Sequence, residues 1–435
     1  MRTLLVYSND HVGSTMSGPG IRAYHFAREL AGSFEVTLMA PNAVDLSLER
    51  VEVAPAVAPG EVARTAGRFD AVVAQYLPLS AMRRLARSDV RVVYDLYVPL
   101  LGEYLGMADA TAASVEGARL VQRAALATGD AFVCAGERQR DLWLGMLAAL
   151  GRIDLDRYRR DPSLRGLIDV VPFGLPEAPP VAGDAVLKGV LPGIRGSDKV
   201  LLWGGGIWNW LDPLTVIRAV ERLSRLRGDV KLVFLGLDHP QVGRMQMADR
   251  AIELARSLEV LDRFVFFRPG WLPYEERQAF LLEADLGVSA HFDTFETRFA
   301  FRTRLLDYLW AGLPIVTTGG DELGDLVLRR GLGRVVGAED VGGWVDAIQE
   351  LLENREAYET ARAGLAGAGD DFSWPRVVEP LARLLATPGA RVDGPSLRPE
   401  ELGLRLRSAY EAAGARGVAA KLARRARRAV FRRRS

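Results

Sequence analysis

Apolar positions fall into two kinds of run, short continuous blocks and helix-spaced sets, and the two alternate along most of the chain. The blocks in the first half are residues 2–8 (RTLLVYS), 34–40 (FEVTLMA), 70–75 (DAVVAQ), 90–96 (VRVVYDL), 130–135 (DAFVCA) and 168–172 (IDVVP). Short, unalternating blocks rich in Val predict strands buried on both faces, as in a parallel sheet. Between the first two, Ile21, Ala23, Phe26 and Leu30 recur at helical spacing. A second helix is expected from Glu137 to about Gly151. Strand, glycine-bearing loop, helix, strand is the start of a parallel α/β domain. The first half therefore predicts a doubly wound sheet of about six strands.

Between residues 173 and 197 the pattern stops. Four prolines lie within 172–180, followed by Gly183, Gly189, Gly193 and Gly196, which reads as a linker. Periodicity restarts at Lys199. Strands are expected at 199–203, running into Gly204-Gly205-Gly206, and at 230–236, 264–267, 286–290, 315–318 and 333–336. Helices are expected from Asp212 or Pro213, then at 244–258, 275–283, 304–311, after Asp321, and at 344–354, 355–366 and 373–385. This is a second α/β domain. The expected division is 1–175 for the first domain, 176–197 for the linker and 198–371 for the second domain. Residues 372–387 would be a helix crossing back, and 388–435 a loose linker with two amphipathic tail helices, 400–413 and 418–431.

One stretch of the second domain concentrates candidate chemistry: AHFDTFETRFAFRTRLLDYLWAGLPIVTTGGD, residues 290–321. It reads as a polar loop, a helix with Thr303 as N-cap, a strand, and a helix start at Gly319-Gly320 with Asp321 as N-cap. Gly312 and Pro314 stop the first helix. Two helix N-termini beside Arg298, Arg302 and Arg304 would suit anionic oxygens, most naturally a diphosphate. Arg304 and Asp307 share a helical face, so one can hold phosphate while the other takes hydroxyls. A solvated ion pair at an exposed helix start is the plainer reading.

Composition narrows the class. Apolar residues make up 49% and charged residues 26%, a soluble globular balance. No charge-free run reaches the ~18–20 residues of a membrane span. The opening MRTLLVYSND turns polar too soon for a signal peptide. A single cysteine, Cys134, excludes an internal disulfide and a Cys-rich metal site, and is most simply core. A cytoplasmic location is expected. Net charge is +1, yet residues 421–435 carry eight Lys or Arg and no acid, leaving the rest at −7. The tail lacks the aromatic platform of a nucleic-acid binder. Leu422, Ala426, Val430 and Phe431 interleave with its arginines, which fits an anionic membrane surface met by residues 418–435, hence peripheral attachment.

Further candidates are scattered. Gly18-Pro19-Gly20 fits a tight turn as well as a ligand contact. Gly204, Gly205 and Gly206 could admit phosphate to backbone N–H groups or allow close strand–helix packing. His11, in the first loop, could reach an interdomain cleft or be merely exposed. Asp95, at a strand's carboxyl end, could orient an acceptor hydroxyl, act as a base, or cap a turn. Trp208 and Trp210 could stack on sugar or base faces or be packed core. No Walker motif, His-Glu-x-x-His motif, Gly-x-Ser-x-Gly elbow or Asp-x-Asp motif appears, so neither a metal nor a cofactor is expected.

Two such domains joined by a Pro-rich linker, the glycine-bearing first loop, the strand leading into three glycines, VFFRPGW at 265–271, RLLDYLWAGLPIV at 304–316 and FSW at 372–374 together resemble one family. They are similar to the GT-B nucleotide-sugar glycosyltransferases, most closely those of glycosyltransferase family 4, over about residues 2–387. RLLDYLWAGLPIV looks like the family's Lys/Arg-x-x-Glu-Tyr-x-x-x-Gly-x-Pro-Val-Val segment. The resemblance implies an enzyme moving a sugar from a nucleotide diphosphate donor to an acceptor hydroxyl, with retention, and a glycan or lipid-linked sugar as acceptor in cell-surface polysaccharide or glycolipid assembly. It places Asp307 on ribose, Arg304 on phosphate, and the loop with Arg268, Gly270 and Trp271 beside the base. The usual Glu-x7-Glu would put carboxylates at 299 and 307, where Phe299 and Asp307 stand; Glu296 is the nearest candidate for the transferred sugar. The basic pair that commonly follows the glycines is replaced by Ile207-Trp208-Asn209-Trp210, and Arg298 and Arg302 are expected to supply that charge. A sugar-nucleotide 2-epimerase of the same architecture and a catalytically degenerate scaffold are the alternatives.

Overall fold

The computed structural model describes residues 2–54, 59–107 and 110–387; the expected tail elements, and the membrane contact assigned to 418–435, lie outside them. In the first half, β1 (Thr3–Tyr7), β2 (Glu35–Met39), β3 (Val51–Ala54), β4 (Ala71–Ala74), β5 (Arg91–Asp95), β6 (Ala131–Cys134) and β7 (Ile168–Val170) form one sheet. Its order is 3-2-1-4-5-6-7, with every pairing parallel. The six expected strands are all present. The seventh, β3, has no fully buried residue, so it sends no continuous apolar signal; it is the edge strand next to β2.

The second half holds β8 (Lys199–Gly206), β9 (Val230–Gly236), a small antiparallel pair β10 (Asp238–His239) and β11 (Gly243–Arg244), then β12 (Val265–Phe267), β13 (Leu286–Ser289), β14 (Ile315–Thr318) and β15 (Gly333–Val336). Its main sheet runs 12-9-8-13-14-15, all parallel. Strand order reverses between β1 and β4 in one sheet and between β8 and β13 in the other, and open α/β sheets bind ligands beyond the carboxyl ends of strands at such reversals. All seven residues of β9 are buried, as expected of a strand covered by helices on both faces.

Helix starts obey local chemistry. The Asp212 carboxylate accepts from Thr215 N–H (3.1 Å) and that of Asp321 from Gly324 N–H (2.6 Å), so both cap, Asp321 as the sequence predicts. Gly312 closes its helix at φ 63°. The first helix begins earlier than the apolar spacing indicated, at Gly18 rather than near Ile21; Pro19 lies within its first two positions, where no intrahelical N–H is needed. Thr303 does not cap: it is already helical and makes no side-chain cap bond. The Ala112–Thr128 helix is absent from the sequence reading. Its Ala, Gly and Arg content gives little apolar period, and a reciprocal Thr111–Ser114 capping box starts it.

The last described helix, Trp374–Ala386, returns to the first half. Trp374 is fully buried and stacks on His25 at 4.3 Å between centroids. Leu175 N–H donates to Phe372 O (2.6 Å) and Trp374 N–H to Leu175 O (3.1 Å). Chain ends of the two halves are thereby tied together, and the cleft lies between the two sheets' carboxyl edges. Among the described residues no helix is long and apolar enough to cross a membrane. Cys134 is buried.

Candidate active site

Two adjoining cavities open between the halves. The first is lined by Gly18 and Ile21 on one side and by Gly205, Gly206, Trp271, Arg277, Arg304 and Asp307 on the other. The second is lined by Asp10, Tyr97 and Glu103 from the first half, and by Trp208, His239, Glu296 and Arg302 from the second. Ser17, Gly18, Trp208, Thr303 and Arg304 line both, so Arg304 stands where the cavities join.

The floor of the first cavity is the end of β8. Gly205 takes φ 73°, and the pairing with β9 slips between Trp203 and Gly206, a bulge that needs a residue tolerant of positive φ. A Cβ on Gly206 would stand 2.9 Å from the Trp271 ring. Gly204 serves packing instead of phosphate: its N–H donates to the Tyr308 hydroxyl (2.9 Å). That hydroxyl lies 2.9 Å from both Leu202 O and Val288 O, and donates to one of them.

Arg304 reaches this floor with one arm. Its Nη2 donates to Gly206 O (2.8 Å), and its guanidinium sits 4.7 Å over the Trp203 ring. Its Nη1 is buried with no hydrogen-bond partner among the described residues. Burial lowers its pKa to about 10, with Arg302 adding to the effect. A buried cation with an unmatched donor is costly, and an anionic oxygen in the cavity would complete it. Opposite stands Gly18, the first residue of a thirteen-residue helix. Its start has no side-chain cap bond, because Ser17 Oγ hydrogen-bonds Asp10, so its N–H groups and dipole favour an anion.

Asp307 opens on the same cavity, and sequence reasoning missed its partner. Arg277 Nε donates to Asp307 Oδ1 (3.1 Å), leaving the second oxygen for hydroxyls. Arg277 lies 3.7 Å from the Tyr274 ring and 4.8 Å from that of Trp310. Burial disfavours its charge, yet Asp307 holds its pKa above the usual value. In the sequence Arg277 belongs to YEERQ, an ordinary charged helix start.

Several candidates fall elsewhere. Asp95 is 2% exposed and closed off by Arg22, through Nε (2.6 Å) and Nη2 (3.0 Å), so it is no base for an acceptor. His11 lines neither cavity; Asn42 Nδ2 is 3.3 Å from its Nε2, and its neighbour Asp10 takes the cleft position. A Cβ on Gly20 would lie 2.0 Å from His11 O, so this glycine serves the packing of that loop. Arg298 is exposed and lines neither cavity. Arg302 is no diphosphate ligand, because Glu296 takes both its Nη groups (2.9 and 2.6 Å). Arg268 lies against Phe280, and Gly270, at φ 74°, shapes the turn that presents Trp271. Trp271 Nε1 donates across the cleft to Met16 O (3.2 Å).

Gly320 and Asp321 also miss the cavities. Gly320 O accepts from Arg138 of the first half. Asp321 is fully buried, and burial raises its pKa to about 6. The second expected anion-binding helix end thus faces the other domain. There Glu322 accepts from Glu137 N–H (3.2 Å) and caps that helix from across the interface. Buried His291 has its pKa lowered to about 3 by burial. Trp208 and Trp210 stack on each other at 5.4 Å and 4°; Trp208 lines both cavities.

Residues 198–354 match the family described as glycosyl transferases group 1. That stretch is thus similar to the family, within a molecule of GT-B fold. It is 26% identical over 269 residues to a D-inositol 3-phosphate glycosyltransferase of Nocardia farcinica, across 60% of this chain and 57% of that one. It is 30% identical over 187 residues to a glycogen synthase of Mycobacterium tuberculosis, across 42% and 41%. The chain thus spans about half the length of these curated relatives. Among solved structures, Anabaena HepE in complex with UDP-glucose aligns with TM-score 0.64 at 14% identity, over 89% of this chain and 100% of that one. Sucrose-phosphate synthase of Thermosynechococcus elongatus aligns with TM-score 0.63 at 14% identity, over 88% and 98%. Both likenesses concern the fold. The matched region contains β8, Arg277, Arg304 and Asp307, so it supplies most of the first cavity's lining.

Proposed function

We propose that this GT-B protein is a glycosyltransferase that moves a sugar from a nucleoside diphosphate donor to an acceptor hydroxyl, with retention at the anomeric carbon. One observation carries the reading: the buried, unmatched Nη1 of Arg304, at the end of β8 and opposite the uncapped helix start at Gly18. A diphosphate placed there satisfies the guanidinium, while Asp307 offers its free oxygen to ribose hydroxyls. The rate comes from holding donor and acceptor in line and from stabilising charge on the departing diphosphate. A uridine nucleotide is the first donor to test, since the similar HepE structure holds UDP-glucose. Hydrolysis of a panel of UDP-, GDP- and dTDP-sugars, read as released nucleoside diphosphate, tests the reading. Turnover of none of them would leave the degenerate-scaffold alternative.

The 2-epimerase alternative has one observation in its favour. His239 Nε2 is buried without a hydrogen-bond partner among the described residues and lies 4.0 Å from Asp10 Oδ2, an imidazole and a carboxylate in one cleft. Product analysis in the same assay separates the two, because an epimerase returns an isomeric sugar.

A membrane-bound acceptor in cell-surface glycan assembly is the setting we propose. It rests on the eight basic residues among 421–435, each worth about 1 kcal/mol near an anionic surface. Co-sedimentation with anionic vesicles should be lost when the chain is truncated after Leu385, and should weaken with salt. Equal sedimentation of both forms would remove the tail as anchor.

A further inference from the structure

Glu103 belongs to the seven-residue helix Leu100–Gly106 of the first half. No sequence motif marks it. That helix packs on the Phe295–Phe299 helix of the second half, close enough that a Cβ on Gly102 would stand 3.5 Å from Glu296 Cα. Glu103 lines the second cavity, as do Glu296 and Arg302. The three have unequal freedom. Arg302 and Glu296 consume each other in a two-pronged ion pair, and Arg302 Nε lies 3.6 Å from Asp321. The Asp10 carboxylate is held by Ser17 Oγ and His11 N–H. The Glu103 carboxyl makes no hydrogen bond or ion pair among the described residues; its backbone N–H donates to Pro99 O (3.4 Å). It is the uncommitted carboxyl of the cavity that adjoins Arg304.

We propose that Glu103 holds the attacking oxygen of the acceptor in the second cavity. This rests on the glycosyltransferase reading. Burial, and next the charge of Glu296, push the Glu103 carboxyl up to about pKa 8, against the pull of Arg302. The phenols of Tyr97 and Tyr76 also sense its charge, and their own pKa values are raised chiefly by burial. That shift favours the neutral acid at neutral pH, and its O–H donates to a lone pair of the attacking oxygen. In transfer, that oxygen forms a bond to the anomeric carbon while the bond from that carbon to the diphosphate oxygen breaks. The hydroxyl proton leaves with the diphosphate, and Glu103 keeps its own. An ionised Glu103 would instead compete for that hydroxyl proton and place a second negative charge beside Glu296.

The test uses the full chain, with water standing in for the acceptor, and the panel nucleotide sugar that turns over fastest. Glu103→Ala should lower kcat for hydrolysis about tenfold, the scale of one neutral hydrogen bond, while the Kd for the nucleoside diphosphate stays unchanged by calorimetry. Glu103→Gln keeps a neutral donor and should restore most of the rate. Wild-type kcat should fall as pH rises through about 8, before Arg304, lowered to about 10, begins to titrate; the Gln variant should lose that fall. Equal rates in Ala variant and wild type, or a Gln variant as slow as the Ala variant, would overturn the assignment. A wild-type chain that neither binds nor hydrolyses any nucleotide sugar breaks the glycosyltransferase reading first, and this inference with it.

Discussion

Each half of the molecule places an arginine near the carboxyl edge of its sheet, and the two are treated in opposite ways. Arg22, in the first half, is 0% exposed. It binds Asp95 through two nitrogens and donates to Pro172 O (2.9 Å) and Val171 O (2.7 Å), with Phe26 and Tyr97 rings at 4.6 and 5.2 Å. Arg304, in the second half, has an aromatic face and one carbonyl, and among the described residues no carboxylate partner and nothing bound to its buried Nη1. A closed ion pair gives structure; an open guanidinium on a cavity gives a ligand site. Residue type does not separate the two, whereas the count of satisfied donors does.

The largest effect expected from breaking this contrast is on stability. Arg22→Ala leaves Asp95 charged and buried, and should cost about 3–5 kcal/mol in urea unfolding. Joint replacement by Met and Leu should recover much of that loss, since desolvation of both charges is also removed. A wild-type midpoint for Arg22→Ala would mean that the pair is not closed in solution.

Arg304→Ala should act on catalysis instead. We expect kcat/KM to fall by about 2–4 kcal/mol, the scale for losing one preorganised donor at developing charge, with an unfolding midpoint near that of wild type. A folded variant with unchanged kcat/KM would take Arg304 out of the site. Asp307→Ala should have the smallest effect of the three, weakening nucleoside diphosphate binding by about 1.5–3 kcal/mol as a charged hydrogen bond to ribose is lost. Equal affinity in a calorimetric titration would make Asp307 a partner for Arg277 alone.

The same contrast explains what the sequence could and could not convey. Continuous apolar blocks announced every strand of the two main sheets except β3, because burial on both faces leaves a one-dimensional trace; the two-residue strands β10 and β11 carry no such block. Asp212, Asp321 and Gly312 announced helix ends, because capping is local. The direction of a side chain is not local. Residues 290–321 contain Arg304 and Asp307, which face the cavity, and Arg298, Gly320 and Asp321, which do not. Spacing cannot distinguish them, because their fates are set by the first half packing against Gly320 and Glu322. Arg277 and Glu103 were illegible for the converse reason. Each sits in a helix start that reads as solvated charge; Arg277 is enclosed by Tyr274, Asp307 and Trp310, distant in sequence or unmarked by it, and the Glu103 helix packs on the opposite domain.

The central claim is that the cavity at Arg304 binds a diphosphate. Calorimetric titration of wild type and Arg304→Ala with UDP and with uridine addresses it directly. We predict that wild type binds UDP more tightly than uridine, and that the substitution removes most of this difference while leaving uridine affinity alone. An undiminished preference for UDP in the variant would contradict the claim.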